Sequence, residues 1–370
     1  MVMEQAFIKG MDISTWEELK SLGAVYYDKG EPKELLSILK SYGINAIRLR
    51  LWNDPYSEEG VPYGAGTNDL DATIALAKKV KEYGMGLLLD FHYSDFWADP
   101  GKQTIPKAWR GYSIEELVNA IYDYTKVVLK CLEAEEVFPS MVQVGNELTN
   151  GMLWPYGKVP NYQTLTKFVN AGIRGVRAVN KEVPIMLHLD NGGNNELYVR
   201  WFDEFMKEGE EFEVIGMSYY PFWHGTLEEL SFNMDDMVKR YGKDIVIAET
   251  SMGFTLEDYA EYEGLTEKER KGMAAKPELA NRVPYPMTEE GQGAFMKELM
   301  KRIHAVADGK GKGFYYWEPA WIPVKGSGWA SEEALEYMNE KGPGGNEWAN
   351  QALFDYEGNA LLALEVIRED

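Results

Sequence analysis

The strongest constraint on the fold is a rhythm. Short apolar runs alternate with longer segments of helical period, eight times over, and no low-complexity linker interrupts the series. The strand candidates are Ala6–Asp12, Ile44–Leu51, Gly86–His92, Met141–Asn146, Pro184–Leu189, Val214–Tyr219, Asp244–Ala248 and Gly313–Trp317. The helix candidates are 31–42, 69–83, 114–135, 161–179, 195–208, 227–241, 288–307 and 358–368. Ser113 with Glu116 reads as a capping box, Asn68 or Asp69 as the cap of the second helix and Thr288 as that of the seventh. Gly43 and Gly84 fall just past helix ends, where a left-handed residue is wanted. Eight such units predict an α/β fold, a (β/α)8 TIM barrel forming a single domain over residues 1–370. A doubly wound open sheet is the competitor, but no Gly-rich phosphate turn accompanies the series. The helix-to-strand links are short, whereas the strand-to-helix loops 52–68, 92–112, 249–287 and 318–357 are long. That asymmetry marks the C-terminal ends of the strands as the functional face.

The net charge of −22, with no block of Lys or Arg, argues against nucleic acid and anionic membrane as partners. No apolar run is long enough for a membrane span, and the N-terminus has no signal-peptide pattern. Localisation stays open: cytoplasmic, or secreted after loss of a leader. Cys131 is the single cysteine, so an internal disulfide is impossible; it reads as a buried helix thiol. A monomer is expected, although exposed Trp could serve a partner.

The aromatic residues carry more information. Of eleven Trp, ten fall at or after a predicted strand end: Trp16, Trp52, Trp97, Trp109, Trp154, Trp223, Trp317, Trp321, Trp329 and Trp348. About half such residues would pack beneath loops, yet ten on one face suggests a groove for the flat faces of pyranose rings. Two strand ends have the same design. "MVQVGNE" ends in Asn146-Glu147, and "DIVIAE" ends in Glu249. Strands four and seven lie well apart around a ring of eight, so these carboxylates can face each other across the mouth. Two facing carboxylates can hydrolyse a glycosidic bond, one as general acid and the other as nucleophile or base. Arg48 would hold a neighbouring carboxylate ionised, Tyr219 would donate a hydrogen bond to it, and Asn146 would bind a sugar hydroxyl. His92, His188 and His224 with Asp90 or Asp190 offer a rival, a metal-dependent hydrolase, but the first strand lacks the His-x-His pair such a site would use. A non-catalytic carbohydrate-binding barrel is a second rival, which would keep the tryptophans without needing two carboxylates.

The motifs "DFHYSDFWADPGKQTIPKAW", "VGNELTNGMLWP", "HLDNGG", "SYYPFW", "IAET" and "FYYWEPAW", with "KGMDIS" and "IRLRLWNDP" near the start, closely resemble glycoside hydrolase family 53, the arabinogalactan endo-β-1,4-galactanases. The resemblance runs from the first strand to the eighth. It implies retaining endo-hydrolysis of β-1,4-galactan, with Glu147 as acid/base and Glu249 as nucleophile. It implies that Arg48 and Tyr219 hold the nucleophile, that Asn146 contacts the 2-hydroxyl, and that Trp317 is the platform at the cleavage point. Asp90, His92, Trp97, Trp154, Asp190, Asn191 and Trp223 are the further candidate substrate contacts. Another β-1,4-glycanase of the same clan, a mannanase or glucanase, is the alternative. No cofactor is expected. Some bacterial members bind calcium after strand seven, but Met252–Pro286 has no compact ligand cluster and no His, and Thr266–Ala280 reads as a charged helix that would brace the loop instead.

Overall fold

A computed structural model of the chain describes residues 6–257, 259, 277–341 and 344–370. Eight parallel strands close into a barrel, each paired with its neighbours in sequence and the last with the first. They are β1 (Ile8–Asp12), β2 (Ala46–Leu51), β3 (Gly86–Phe91), β4 (Met141–Val144), β5 (Ile185–Leu189), β6 (Val214–Tyr219), β7 (Asp244–Thr250) and β8 (Gly311–Trp317). The principal helices are α1 (Leu35–Ser41), α2 (Leu70–Glu82), α3 (Ile114–Ala134), α4 (Tyr162–Arg177), α5 (Asn195–Phe205), α6 (Leu227–Tyr241), α7 (Glu289–His304) and α8 (Leu362–Glu369). This is the expected (β/α)8 barrel.

Caps fall where the sequence signals them. Ser113 and Glu116 form the capping box of α3, and Asp69 and Thr288 cap α2 and α7 through their side chains. Gly43 and Gly84 have φ of 81° and 63°. Three expectations shift. Residues 31–33 are a strand, paired with Tyr26–Asp28, so α1 begins at Leu35; Pro32 and the Gly30 turn before it suit a hairpin better than a helix. The loop after β8 contains a helix, Glu332–Met338, capped by Ser331. Cys131 is only half-buried. Most of the loop expected to lack a calcium site lies outside the described residues, as does most of its expected helix; Pro277–Ala280 is helical. Among the described residues no helix is long and apolar enough to cross a membrane.

Alternation along each strand decides what fills the barrel. Ala46, Leu88, Met141, Met186, Val214, Val246, Ala248 and Tyr315 form a buried apolar cluster inside the ring. Two residues further along four of these strands, the same parity delivers Arg48, Asp90, Gln143 and His188, and four residues beyond Val214 it delivers Ser218, all buried. The barrel is therefore apolar below and polar at its C-terminal mouth. The pairing of β6 with β7 is irregular: Met217 faces Ile247, but Ser218 faces Glu249. One extra residue on β7, Ala248, absorbs the step, as in a bulge that re-aims a side chain.

Candidate active site

The mouth holds a cavity of about 350 Å³, whose wall includes Arg48, Arg50, His92, Trp97, Asn146, Glu147, Tyr220, Glu249 and Trp317. Both predicted carboxylates thus reach one chamber, each from the end of an apolar strand. Glu147 follows β4 with a left-handed backbone, φ 46°. Glu318, just past β8, shares that conformation at φ 50°. Left-handed non-glycine residues are costly and collect at functional sites.

The two carboxylates have unequal surroundings. Arg48 Nη1 lies 2.8 Å from Glu249 Oε1, and the Tyr220 hydroxyl donates to Glu249 Oε2 at 2.9 Å. Glu147 instead accepts from Ser218 Oγ at 2.6 Å. Burial, then the nearby Glu249 charge, then Asp190, push the Glu147 carboxyl well above its usual range. Burial also raises Glu249, but the Arg48 cation and the Tyr220 donor oppose it. Of the pair, Glu147 therefore holds the proton and Glu249 the charge.

Arg48 organises the floor. It donates to Asp12 at 2.9 Å, Asp90 at 2.8 Å, Asn146 Oδ1 at 2.9 Å and Gln143 at 3.2 Å. Beside it, Arg50 pairs with Glu318 at 2.5 Å, and its guanidinium lies 4.4 Å from the centre of the Trp97 ring and 5.9 Å from that of Trp317. Cation–π contact on both rings stiffens the aromatic wall. Trp317 packs against Trp97, Trp321 and Trp348, with ring centres 6.1, 5.9 and 4.7 Å away. Trp321, Trp329 and Trp348 complete the apolar side of the cavity. Five of the ten predicted tryptophans therefore line it. Of the other five, Trp16, Trp52 and Trp109 are packed into the protein.

Several predicted contacts lie elsewhere. Tyr219 does not reach Glu249: its hydroxyl donates to Gly225 O at 2.9 Å, and its ring stacks on Phe295 of α7. With Ser218 facing inward, Tyr219 must face outward, and the next residue, Tyr220, takes the expected role. Asp90 faces inward but is fully buried beneath the cavity, committed to Arg48 and, at 3.0 Å, to His92 Nε2. It anchors the arginine from below. Trp154 donates to Asn150 O, with Lys158 Nζ 4.0 Å from its ring centre, in the loop after β4 and off the cavity wall. Asp190 is buried behind Glu147, accepting from Asn191 Nδ2 at 2.6 Å, and acts on Glu147 by charge. Asn191 and Trp223 border a separate shallow depression with Asn194 and Phe232. Trp223 still approaches the cavity, 6.2 Å from Trp348.

The three strand-end histidines do not converge. His92 is tied to Asp90, His188 to Ser218 at 2.8 Å, and His224 Nδ1 lies 3.0 Å from Ser218 O. Among the described residues no three His, Cys, Asp or Glu side chains are grouped to hold a metal ion. Sequence reasoning missed Tyr220 and Ser218; both stand in the quoted "SYYPFW", and only the strand parity separates their roles.

Comparison with known proteins places the chain in a family. The family description "Glycosyl hydrolase family 53" matches residues 8–367. An endo-beta-1,4-galactanase of Bacillus subtilis is 37% identical over 99% of this chain and 86% of its own length. The solved GH53 catalytic domain of Ignisphaera aggregans is 40% identical with a TM-score of 0.90, covering 99% of this chain and 97% of that one. A structure from a study of two fungal beta-1,4-galactanases is 29% identical with a TM-score of 0.79, covering 99% and 100%. The chain is a glycoside hydrolase and belongs to glycosyl hydrolase family 53.

Proposed function

We propose that this protein is an endo-β-1,4-galactanase that cleaves galactan with retention, by double displacement through Glu249 and Glu147. The observation that carries the reading is the asymmetry of the two carboxylates around one cavity. Glu249 is held by Arg48 and Tyr220, which suits an ionised nucleophile. Glu147 is pushed upward by burial and by Glu249, which suits a proton donor. The galactan specificity rests on the named relatives.

In the first step a Glu249 oxygen attacks the anomeric carbon while the bond to the leaving oxygen breaks. Glu147 delivers its proton to that oxygen, leaving a glycosyl ester on Glu249. The ester has no charge, so the repulsion that kept Glu147 protonated is gone and its pKa falls. Glu147 then takes a proton from water, whose oxygen attacks the same carbon and frees Glu249. Asn146 has one Nδ2 proton committed to Ala98 O at 2.8 Å; its other amide proton serves the 2-hydroxyl. Trp317 underlies the ring at the cleavage point.

Glu147→Ala and Glu249→Ala should each lower hydrolysis of galactan by about 10³-fold with the melting curve little changed. Azide should restore turnover of an activated aryl galacto-oligosaccharide by the first variant, giving a β-glycosyl azide. Proton NMR of the first product should show the β anomer. An α first product, or full activity in either variant, overturns the mechanism. A panel of galactan, mannan, xylan and cellulose tests the substrate.

A further inference from the structure

Behind Glu147 runs a buried chain of polar side chains that the two-carboxylate mechanism does not use. Ser218 Oγ lies 2.6 Å from Glu147 Oε1, and His188 Nε2 lies 2.8 Å from Ser218 Oγ. On the far side of the ring, His188 Nδ1 is 3.0 Å from Gln143 Nε2. Ser218, His188 and Gln143 are all at 0% exposure, on the adjoining strands β6, β5 and β4.

The direction of this chain follows from what surrounds His188 Nδ1. The amide N–H of Glu147 itself points at His188 Nδ1, at 3.5 Å. Asn146 Oδ1 also lies 3.0 Å from Nδ1, but both its lone pairs are engaged, by Arg48 Nη2 at 2.9 Å and Gln143 Nε2 at 3.1 Å, so Nδ1 takes the role of acceptor and the ring proton sits on Nε2. Nε2–H donates to Ser218 Oγ, and the serine's only proton is left for Glu147 Oε1. Reversal would need Nδ1 protonated against that N–H. The imidazole also stays neutral: burial, then the Arg48 cation, hold its pKa well below the usual histidine range.

We propose that His188 and Ser218 are positioning residues for the acid/base, a donor chain of fixed polarity that occupies Glu147 Oε1 and leaves Oε2 to carry the catalytic proton. This rests on Glu147 being the acid/base. The chain acts in both halves of the reaction. While Glu147 is protonated, a donor on Oε1 confines the proton to the other oxygen. When Glu147 is a carboxylate, the same donor stabilises the anion that must act as base. Other groups that act on Glu147 are Glu249 from β7, Asp190 beyond β5, Asp99 from the loop after β3, Tyr220 beyond β6 and Tyr198 of α5. The three acids raise its pKa, and Ser218 is the donor that opposes them.

Ser218→Ala tests this. Without the donor to its anion, Glu147 should bind its proton more tightly. The basic limb of kcat/KM on galactan should move up by about one pH unit. With an activated aryl substrate, where breakdown of the glycosyl-enzyme limits, kcat should fall about tenfold while KM falls or holds. An unshifted basic limb, with kcat merely scaled down, overturns the proposal. Glu147→Gln run beside it separates the two readings. If that variant keeps wild-type activity, the acid/base assignment itself has failed. If it is inactive while Ser218→Ala has a wild-type limb, only the positioning role has failed. Should Ser218→Ala not fold, ¹⁵N-histidine NMR of the wild-type protein decides, since the chain has only 4 histidines. His188, assigned by loss of its signals in His188→Gln, should be a neutral Nε2–H tautomer throughout the active pH range. An Nδ1–H tautomer or an imidazolium overturns the proposal.

Discussion

One position along the chain separates a tyrosine in the site from a tyrosine in the outer core. Tyr220 donates to Glu249 Oε2, whereas Tyr219 donates to a backbone carbonyl outside the ring. Their phenylalanine variants should therefore part company. Tyr220→Phe removes a donor to a charged oxygen, worth about 1.5–3 kcal/mol, so kcat on galactan should drop about 10- to 100-fold. Tyr219→Phe should leave kcat within about twofold and cost about 1 kcal/mol in thermal unfolding. Equal kinetic losses would contradict the geometry. The same residue-scale logic explains Asp90. Its type and its strand were visible in the sequence, but its depth was not. Asp90 sits below Arg48, fully buried, and anchors the guanidinium.

At the scale of elements, β8 leaves no room for a side chain at Gly10 of β1. A Cβ on Gly10 would lie 2.3 Å from a Tyr315 ring carbon and 2.8 Å from the Phe314 carbonyl oxygen. The tyrosine fills the barrel under the polar mouth, and glycine opposite makes room for it. Gly10→Ala should cost about 1–3 kcal/mol through overpacking, read as a lower melting temperature, with activity retained below the transition. No loss of stability would mean that the strands can separate there. The step between β6 and β7 is the other element-level device. It sets Ser218 opposite Glu249, so that β6 reaches one carboxylate with Ser218 and the other with Tyr220.

At the scale of the molecule, the site stores carboxyl groups that hold protons more tightly than an unfolded chain does. Burial raises Asp95 to about 6 and Glu318 to about 7, the latter despite Arg50 and a donor in Thr15, and it raises Glu147, Glu249 and Asp190 as well. Surface acids held down by partners, such as Glu298 beside Arg302, titrate below this range. His188 and His224, held neutral by burial, work the other way, because the unfolded chain protonates them below its histidine range, but the five raised carboxyls outnumber them. Between about pH 4 and about pH 7 the native state thus binds more protons than the unfolded one, and stability falls as pH rises. The melting temperature should be lower at about pH 8 than at about pH 5, and Glu147→Gln should flatten that fall. A melting temperature that rises across the range would reverse the assignment. The eightfold alternation, the apolar supports ending in Glu147 and Glu249, and the aromatic loops were all legible in the amino-acid order, because strand period and burial are local properties. Tyr220 in place of Tyr219, Asp90 as an anchor, and the Ser218–His188 chain were decided only by closure of the ring. Facing direction at a strand end depends on where pairing with the neighbouring strands stops. Depth depends on how eight strands stagger around an axis that no short stretch of sequence contains.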